Sequence, residues 1–418
     1  MSIIITIIEL ILVLSVVAIV HEFGHFIVAK AFKMTVNEFS IGFGKAIWQK
    51  KYKGTTYSFR LILLGGYVDI EGEDGSKESE NAFCNKPCWQ RILVLVAGVT
   101  FNFILGICIM LGINFTTDTY TTTLKNLPKE SVLYEAGLRD GDSIISIGGV
   151  RTHIYQDIAL YDDTSKNEVE VRFLSDGEEK TTTLKNIVSV KGYIGVYFNS
   201  NDKREDGTLR AIVNIVEPGS RAEQAGIKSG DEIISVENVS VNSSTDVIRA
   251  VTSYVDKEIS ITVLRGGNTK ELKITPAKTE FVNFGITGVE IVPTTLGYSW
   301  YKSVNTVIRV VDSYVDLFKG KVKLSQMSGI VGVGEMVSKA RGIVELLTLV
   351  ATISLAIGMA NIMPFPPLDG GKVVLVLIEG ITRKKVPQKV ELTLSGIGFA
   401  LLILLTIFVT IKDIIRII

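Results

Sequence analysis

The sequence predicts a polytopic α-helical membrane protein, with four transmembrane helices split into two pairs by a long polar, β-rich insert. Three observations carry this expectation. Four apolar stretches approach or reach the length of a bilayer span: Ile3 to Val20, Ile92 to Phe115, Ile343 to Met363 and Leu392 to Ile411. Hydrophobic residues nevertheless make up only 47% of the 418 residues, so the spans must be diluted by a sizeable soluble part. That part is Thr116 to about Lys278, which is rich in turns and contains one motif twice. Lys+Arg and Asp+Glu balance at 44 each, which gives no reason to expect a nucleic-acid partner. The three cysteines, Cys84, Cys88 and Cys108, make no disulfide framework and no zinc-ligand pair of pairs.

The first span carries Glu9 as its one charge and continues as a helix to about Ala31. No Lys or Arg precedes Lys30 and no small-residue cleavage site follows, so it is expected to be retained rather than removed as a signal peptide. At its end lies His21-Glu22-Phe23-Gly24-His25, an H-E-x-x-H pattern. Residues four apart share a helix face, so His21 and His25 can address one metal, with Glu22 beside them as a base. On an exposed helix the same letters would be a polar face. In a membrane segment ionisable groups are expensive and mark function, and two of the chain's three histidines are here.

From Val36 to Glu71 the pattern changes to three short strands punctuated by glycine: Phe39 to Gly44, Thr55 to Leu61 and Leu64 to Val68. They suggest a hairpin that dips toward the motif and offers a free edge to an extended peptide, or else a plain cytoplasmic hairpin. Arg91 closes this stretch. Asn102, inside the second span (92–115), needs a hydrogen-bond partner.

In the insert, Ala136-Gly137-Leu138-Arg139-Asp140-Gly141-Asp142-Ser143-Ile144-Ile145 aligns without gaps on Ala225-Gly226-Ile227-Lys228-Ser229-Gly230-Asp231-Glu232-Ile233-Ile234. This run closely resembles the PDZ family. The resemblance implies two tandem PDZ-like α+β domains, at 116–205 and 206–280, that dock peptides by strand addition. The alternative is that they are spacers without a ligand.

Residues 281–342 form a connecting segment. Within it Trp300 to Phe318 is amphipathic, lying on the membrane or packing under the second repeat, and Met327 to Gly332 is a glycine-rich return loop. The third span (343–363) is broken by Asn361-Ile362-Met363-Pro364-Phe365-Pro366-Pro367-Leu368-Asp369-Gly370-Gly371, because the prolines forbid a regular helix. Irregular backbone at membrane depth is tolerated only where protein buries it or a wet cavity adjoins it. The basic loops are Lys30 to Arg91 and Lys372 to Lys389. The positive-inside rule puts both in the cytoplasm, and the termini and repeats on the opposite face. His21 to His25 and Asp369 then fall at similar depth. Two histidines leave a catalytic zinc one protein ligand short, and Asp369 is the candidate third. Glu38, in a strand-like stretch, is the weaker rival. Taken alone, Leu368-Asp369-Gly370 would be a turn with an Asp cap.

With these motifs together the chain resembles the site-2 protease family of intramembrane zinc metalloproteases. Four spans with two PDZ-like domains between the second and third specifically resemble the bacterial regulator-of-sigma-E protease branch. The matching residues are His21-Glu22-Phe23-Gly24-His25 and Asn361-x-x-Pro364-x-Pro366-x-Leu368-Asp369-Gly370, with Phe39 to Gly44 and Gly65-Gly66-Tyr67 resembling the family's membrane-associated β-loop. The resemblance implies a Zn2+ ion on His21, His25 and Asp369, and Glu22 as general base. It also implies substrate contacts from Asn361 and from Gly42, Gly44 and Gly66. Gly98-Val99 and Gly329-Ile330 depart from frequent Gly-Pro pairs, and Lys45 from a frequent proline, without removing a ligand. The implied substrates are single-span membrane proteins, such as anti-sigma factors, or remnant signal peptides, already trimmed by an upstream site-1-type protease. The implied setting is a bacterial plasma membrane, with the active site toward the cytoplasm. A catalytically inactive scaffold that docks partners through its repeats is the alternative. A transporter would need inverted repeats among the spans, and none is visible.

Overall fold

The apolar run after Ile3 folds as α1 (Ile3–Ala31), most of whose surface is bare: Ile4, Ile5, Ile8 and Leu12 are exposed. Ser15 and Gly24 are buried against Leu63 and Ala97, and the longest buried ridge is Val13, Val17, His21, His25 and Ala29, each four residues from the last. Such i, i+4 ridges are what helices pack with, so the two histidines continue the stripe that holds α1 against the protein. The computed structural model describes residues 3–73, 79–198, 208–320, 329–340 and 342–417. It divides into two compact units, Met1–Thr117 with Thr294–Ile418, and Asp118–Pro293.

After α1 come β1 (Val36–Tyr52) and β2 (Thr55–Ile70), two long strands instead of three short ones. Glu38 to Ile41 lies between Gly66–Asp69 on one side and Thr56–Phe59 on the other, while Ala46–Tyr52 pairs along Thr55–Arg60. The glycines do not end strands here. Gly42, Gly44 and Gly65 take φ of +85°, +81° and +88° inside them, which bends the strands through register shifts and lets them continue. α2 (Cys88–Phe115) follows, burying Val94, Leu95, Ala97, Gly98, Val99, Asn102 and Gly106.

The second unit contains β3 (Asp118–Leu124), α3 (Val132–Glu135), β4 (Ser143–Ile147), β5 (Val150–Arg151), α4 (Tyr155–Ala159), β6 (Glu168–Ser175), β7 (Glu178–Lys185), β8 (Val188–Tyr193), β9 (Val196–Phe198), β10 (Val213–Val216), α5 (Arg221–Ala225), β11 (Glu232–Val236), β12 (Val239–Ser240), α6 (Ser244–Thr252), β13 (Ile259–Arg265), β14 (Asn268–Ile274), β15 (Ala277–Val282) and β16 (Val289–Pro293). Two separate apolar cores result, and the repeated motif does the same work in each. Leu138, Ile144 and Ile147 are buried in one; Ile227, Ile233 and Val236 are buried in the other. The Asp142 carboxylate accepts the Arg139 N–H, and the Asp231 carboxylate the Lys228 N–H, both at 2.8 Å. The cores do not divide at residue 205. Ile187 closes the first, Ile194 already belongs to the second, and Phe284 returns to the first, where β16 pairs with β3.

The chain re-enters the first unit as α7 (Leu296–Phe318), then α8 (Ile330–Lys339), α9 (Ile343–Asn361), α10 (Asp369–Thr382) and α11 (Gln388–Ile417). With α1 and α2, helices α9 and α11 make four, among the described residues, that are long and apolar enough to cross a membrane. The amphipathic helix α7 packs on the spans by its small polar face. Ser299 and Ser303 are fully buried, the Ser299 hydroxyl donates to the Leu111 carbonyl at 2.8 Å, and the Asn114 amide donates to Ser303 at 3.0 Å. Its apolar residues Trp300, Ile308, Val315 and Phe318 point away. Of the expected return loop, Met327 and Ser328 lie outside the described residues. Ile330 onward is helical, because Asp413 of α11 accepts the Gly329 and Gly332 N–H groups at 2.8 and 2.9 Å and caps α8.

Candidate metal centre

Three elements meet at the inner stripe of α1. His21 and His25 come from its last turns, Gly98 from α2, and Asp369 from the first residue of α10. His21 Nε2 and His25 Nε2 stand 3.1 Å apart, and Asp369 Oδ2 is 3.0 Å from the first and 3.3 Å from the second. Among the described residues this is the one group of three His, Cys, Asp or Glu side chains whose ligand atoms converge in this way. Asp369 Oδ2 is buried and meets no donor in hydrogen-bond geometry. A tetrahedral ion with ligands at about 2.0–2.1 Å separates them by about 3.3 Å. The donor set and its spacing therefore fit zinc.

The far side of each imidazole is held. The Val94 carbonyl, 2.8 Å from His25 Nδ1, can only accept, so that nitrogen carries the proton and Nε2 keeps its lone pair free. The Asn102 amide nitrogen sits 3.3 Å from His21 Nδ1; with the amide turned over, its carbonyl oxygen would accept the Nδ1 proton there and leave His21 Nε2 free as well. Asn102 thus finds the partner that its place in a span demands. Its backbone carbonyl accepts from Ser354 of α9 at 2.8 Å.

Close approach makes this possible. A Cβ on Gly98 would stand 2.3 Å from His25 Nε2 and 2.8 Å from His21 Nε2, and one on Gly24 would stand 2.5 Å from the Ala97 carbonyl. Glu22 turns toward the β-sheet, where the Val68 N–H donates to its Oε2 at 3.0 Å. Gly65 and Gly66 pack on Ala18 and Ile19, one turn before His21. Gly66 and α1 are therefore brought together. Gly42 lies against the Ile62 backbone and Gly44 against the Ile62 side chain, within the sheet itself. Asn361 is the last residue of α9, half-buried, at the other end of the proline segment from Asp369. Glu38 is engaged elsewhere. Burial would raise its pKa, but hydrogen bonds from Ser58 and Arg60 outweigh that and hold it below the ordinary carboxylate value.

Gly98, Val94 and Val68 were not singled out from the sequence as site residues. Two act through backbone atoms and one through its lack of a side chain, so residue type alone carries no signal for them.

A sequence profile of peptidase family M50 matches residues 9–405. The chain belongs to peptidase family M50. It is 29% identical over 436 residues to the regulator of sigma E protease of Haemophilus influenzae, covering 97% of this chain and 98% of that one. It is 27% identical over 433 residues to the regulator of sigma-E protease RseP of Escherichia coli K12, covering 94% and 95%. A chain of Thermotoga maritima, provisionally named a zinc metalloprotease, is 28% identical over 506 residues, covering 98% of each. M50 membership makes this chain a membrane-embedded zinc metalloprotease of the kind that serves regulated intramembrane proteolysis.

Proposed function

We propose that His21, His25 and Asp369 hold the zinc ion and that Glu22 is the general base for hydrolysis of a peptide bond within or near a transmembrane segment. The observation that carries this is the convergence of the three ligand atoms within 3.3 Å of one another, with Glu22 on the same helix. Zinc, when bound, supplies Lewis-acid polarisation of the scissile carbonyl and an acidified water. Glu22 takes the proton released on attack and delivers it to the departing amide nitrogen. The Val68 N–H fixes the Glu22 carboxylate while the second oxygen works.

A substrate helix hides its carbonyls in internal hydrogen bonds and must unwind before attack. The sheet edge that carries Gly66 and Val68 runs beside Glu22, where it can replace those bonds for an extended substrate strand. Gly42, Gly44 and Asn361 are assigned to the substrate on the same reading. Substrates are single-span membrane proteins or remnant signal peptides, trimmed first by another protease. The two repeats are PDZ-like domains on the extracytoplasmic face of a bacterial plasma membrane that exclude untrimmed ectodomains, and the site opens toward the cytoplasm.

The test is cleavage of a single-span substrate in detergent by wild type and Glu22→Gln, with zinc content measured on both. Full zinc with cleavage lowered by about 10²–10⁴-fold is expected. Equal cleavage by both would remove Glu22 from the reaction, and zinc bound without cleavage by either would favour a docking scaffold.

A further inference from the structure

The helix that delivers Asp369 does not continue the span before it. Pro364, Pro366 and Pro367 intervene, and no side chain caps its first turn. Helix continuity therefore cannot fix where Asp369 sits. Along α10, Asp369, Lys372, Val376 and Glu379 recur at intervals of three and four, which places them on one face. Each of the last three has its own anchor. Lys372 Nζ donates to Glu73 Oε1 at 2.6 Å, just past the end of β2. Val376 is 3% exposed, in the cluster of Ala29, Ile70, Val94 and Leu95. Glu379 pairs with Arg91 of α2 through one carboxylate oxygen and accepts the Val386 N–H with the other at 2.9 Å.

The Arg91 and Glu379 side chains are only 11% and 12% exposed. Buried ion pairs of this kind add little net stability, because desolvation offsets their attraction; what they do is penalise every other arrangement. A slip of α10 by one residue would move Asp369 by about 1.5 Å and turn it by about 100°, enough to take Oδ2 away from both histidines.

We propose that Lys372 and Glu379 are positioning residues for the metal ligand: the Lys372–Glu73 and Arg91–Glu379 pairs set the rotation and height of α10 so that Asp369 meets His21 and His25. This rests on the reading of Asp369 as a zinc ligand.

The test measures zinc affinity of the purified full-length protein by competition with a chromogenic chelator, alongside thermal melting of the metal-free form. Lys372→Met and Glu379→Gln should each weaken zinc binding about tenfold or more with every ligand residue intact. The charge exchange Glu73→Lys with Lys372→Glu should recover affinity toward wild type. Asp369→Asn is the control: if it leaves affinity unchanged, the ligand reading fails. If it lowers affinity while Lys372→Met and Glu379→Gln bind as wild type, the positioning role alone is overturned. Should a single variant fail to fold, the exchange decides. A folded exchange variant with recovered affinity supports the role, and one that folds yet binds zinc weakly overturns it.

Discussion

Four helical glycines of the membrane unit and the glycines of the repeated motif are the same residue used under opposite constraints. Gly24, Gly98, Gly106 and Gly358 keep ordinary helical backbone but have other atoms where a Cβ would go. Gly137, Gly141, Gly226 and Gly230 have open space beside them and left-handed backbone, with φ between +86° and +100°. In the first set glycine lets helices touch, so that histidines on one and a carboxylate on another can share a point. In the second it makes turns that rebuild the same strand twice. The candidate metal centre of the membrane unit depends on close approach, and the repeated motif depends on local conformation.

The sharpest way to break this contrast is Gly98→Ala. Alanine suits a helix better than glycine, yet its methyl would fall 2.3 Å from His25 Nε2. Zinc affinity and cleavage should both fall by about 100-fold or more, with helix content by circular dichroism unchanged. Wild-type zinc binding in this variant would mean that α2 does not press on the ligands.

Removing the second unit tests the same division at the scale of the chain. The Thr294 hydroxyl donates to the Thr117 carbonyl, so the membrane unit's two ends are already adjacent. Replacing Asp118–Pro293 with a short glycine linker should leave zinc binding and cleavage of trimmed substrate near wild type, and permit cleavage of untrimmed substrate. Continued rejection of untrimmed substrate would end the filter proposal.

What the sequence revealed follows the same line. The stripe of Val13, Val17, His21 and His25 is legible because helix periodicity and residue type coincide in it. Asp369 is legible from charge topology, since a lone carboxylate in a proline-broken stretch at matching depth has few other uses. Gly42, Gly44 and Gly65 misled, because a glycine that bends a strand and one that ends it look alike in sequence. The return of the chain after the second copy, where β15 pairs with β8 and β16 with β3, was also hidden. Strand partners far apart in the chain leave no local pattern.

Within the β-rich unit the two copies differ at one place that can be measured. Asp231 is 1% exposed and its carboxylate takes two hydrogen bonds from Arg265, at 2.6 and 2.7 Å. The strand registers Glu232↔Leu264 and Ser143↔Leu174 put Ser175 where Arg265 would be in the first copy. Arg265→Met should therefore open the second copy by about 2 kcal/mol, seen as faster hydrogen exchange in β11 and β13, with β4 and β6 unchanged. Equal loosening of both copies would show that they do not hold themselves independently.

The smallest effect returns to glycine. Gly226 ends α5 at φ +86°, a Cβ there would have nothing within 4 Å, and its N–H donates to the Glu223 carbonyl at 2.9 Å. Alanine here meets no clash and is penalised only by the left-handed backbone, by about 1–2 kcal/mol. Asparagine, which tolerates that region, should cost less. Hydrogen exchange at α5 should rank glycine most protected, then asparagine, then alanine, while zinc affinity stays at the wild-type value in all three. If alanine and asparagine were equally mild, φ would not be the constraint at Gly226. A fall in zinc affinity would couple the repeat to the metal site, so that local backbone conformation in one unit reached the ligand geometry in the other.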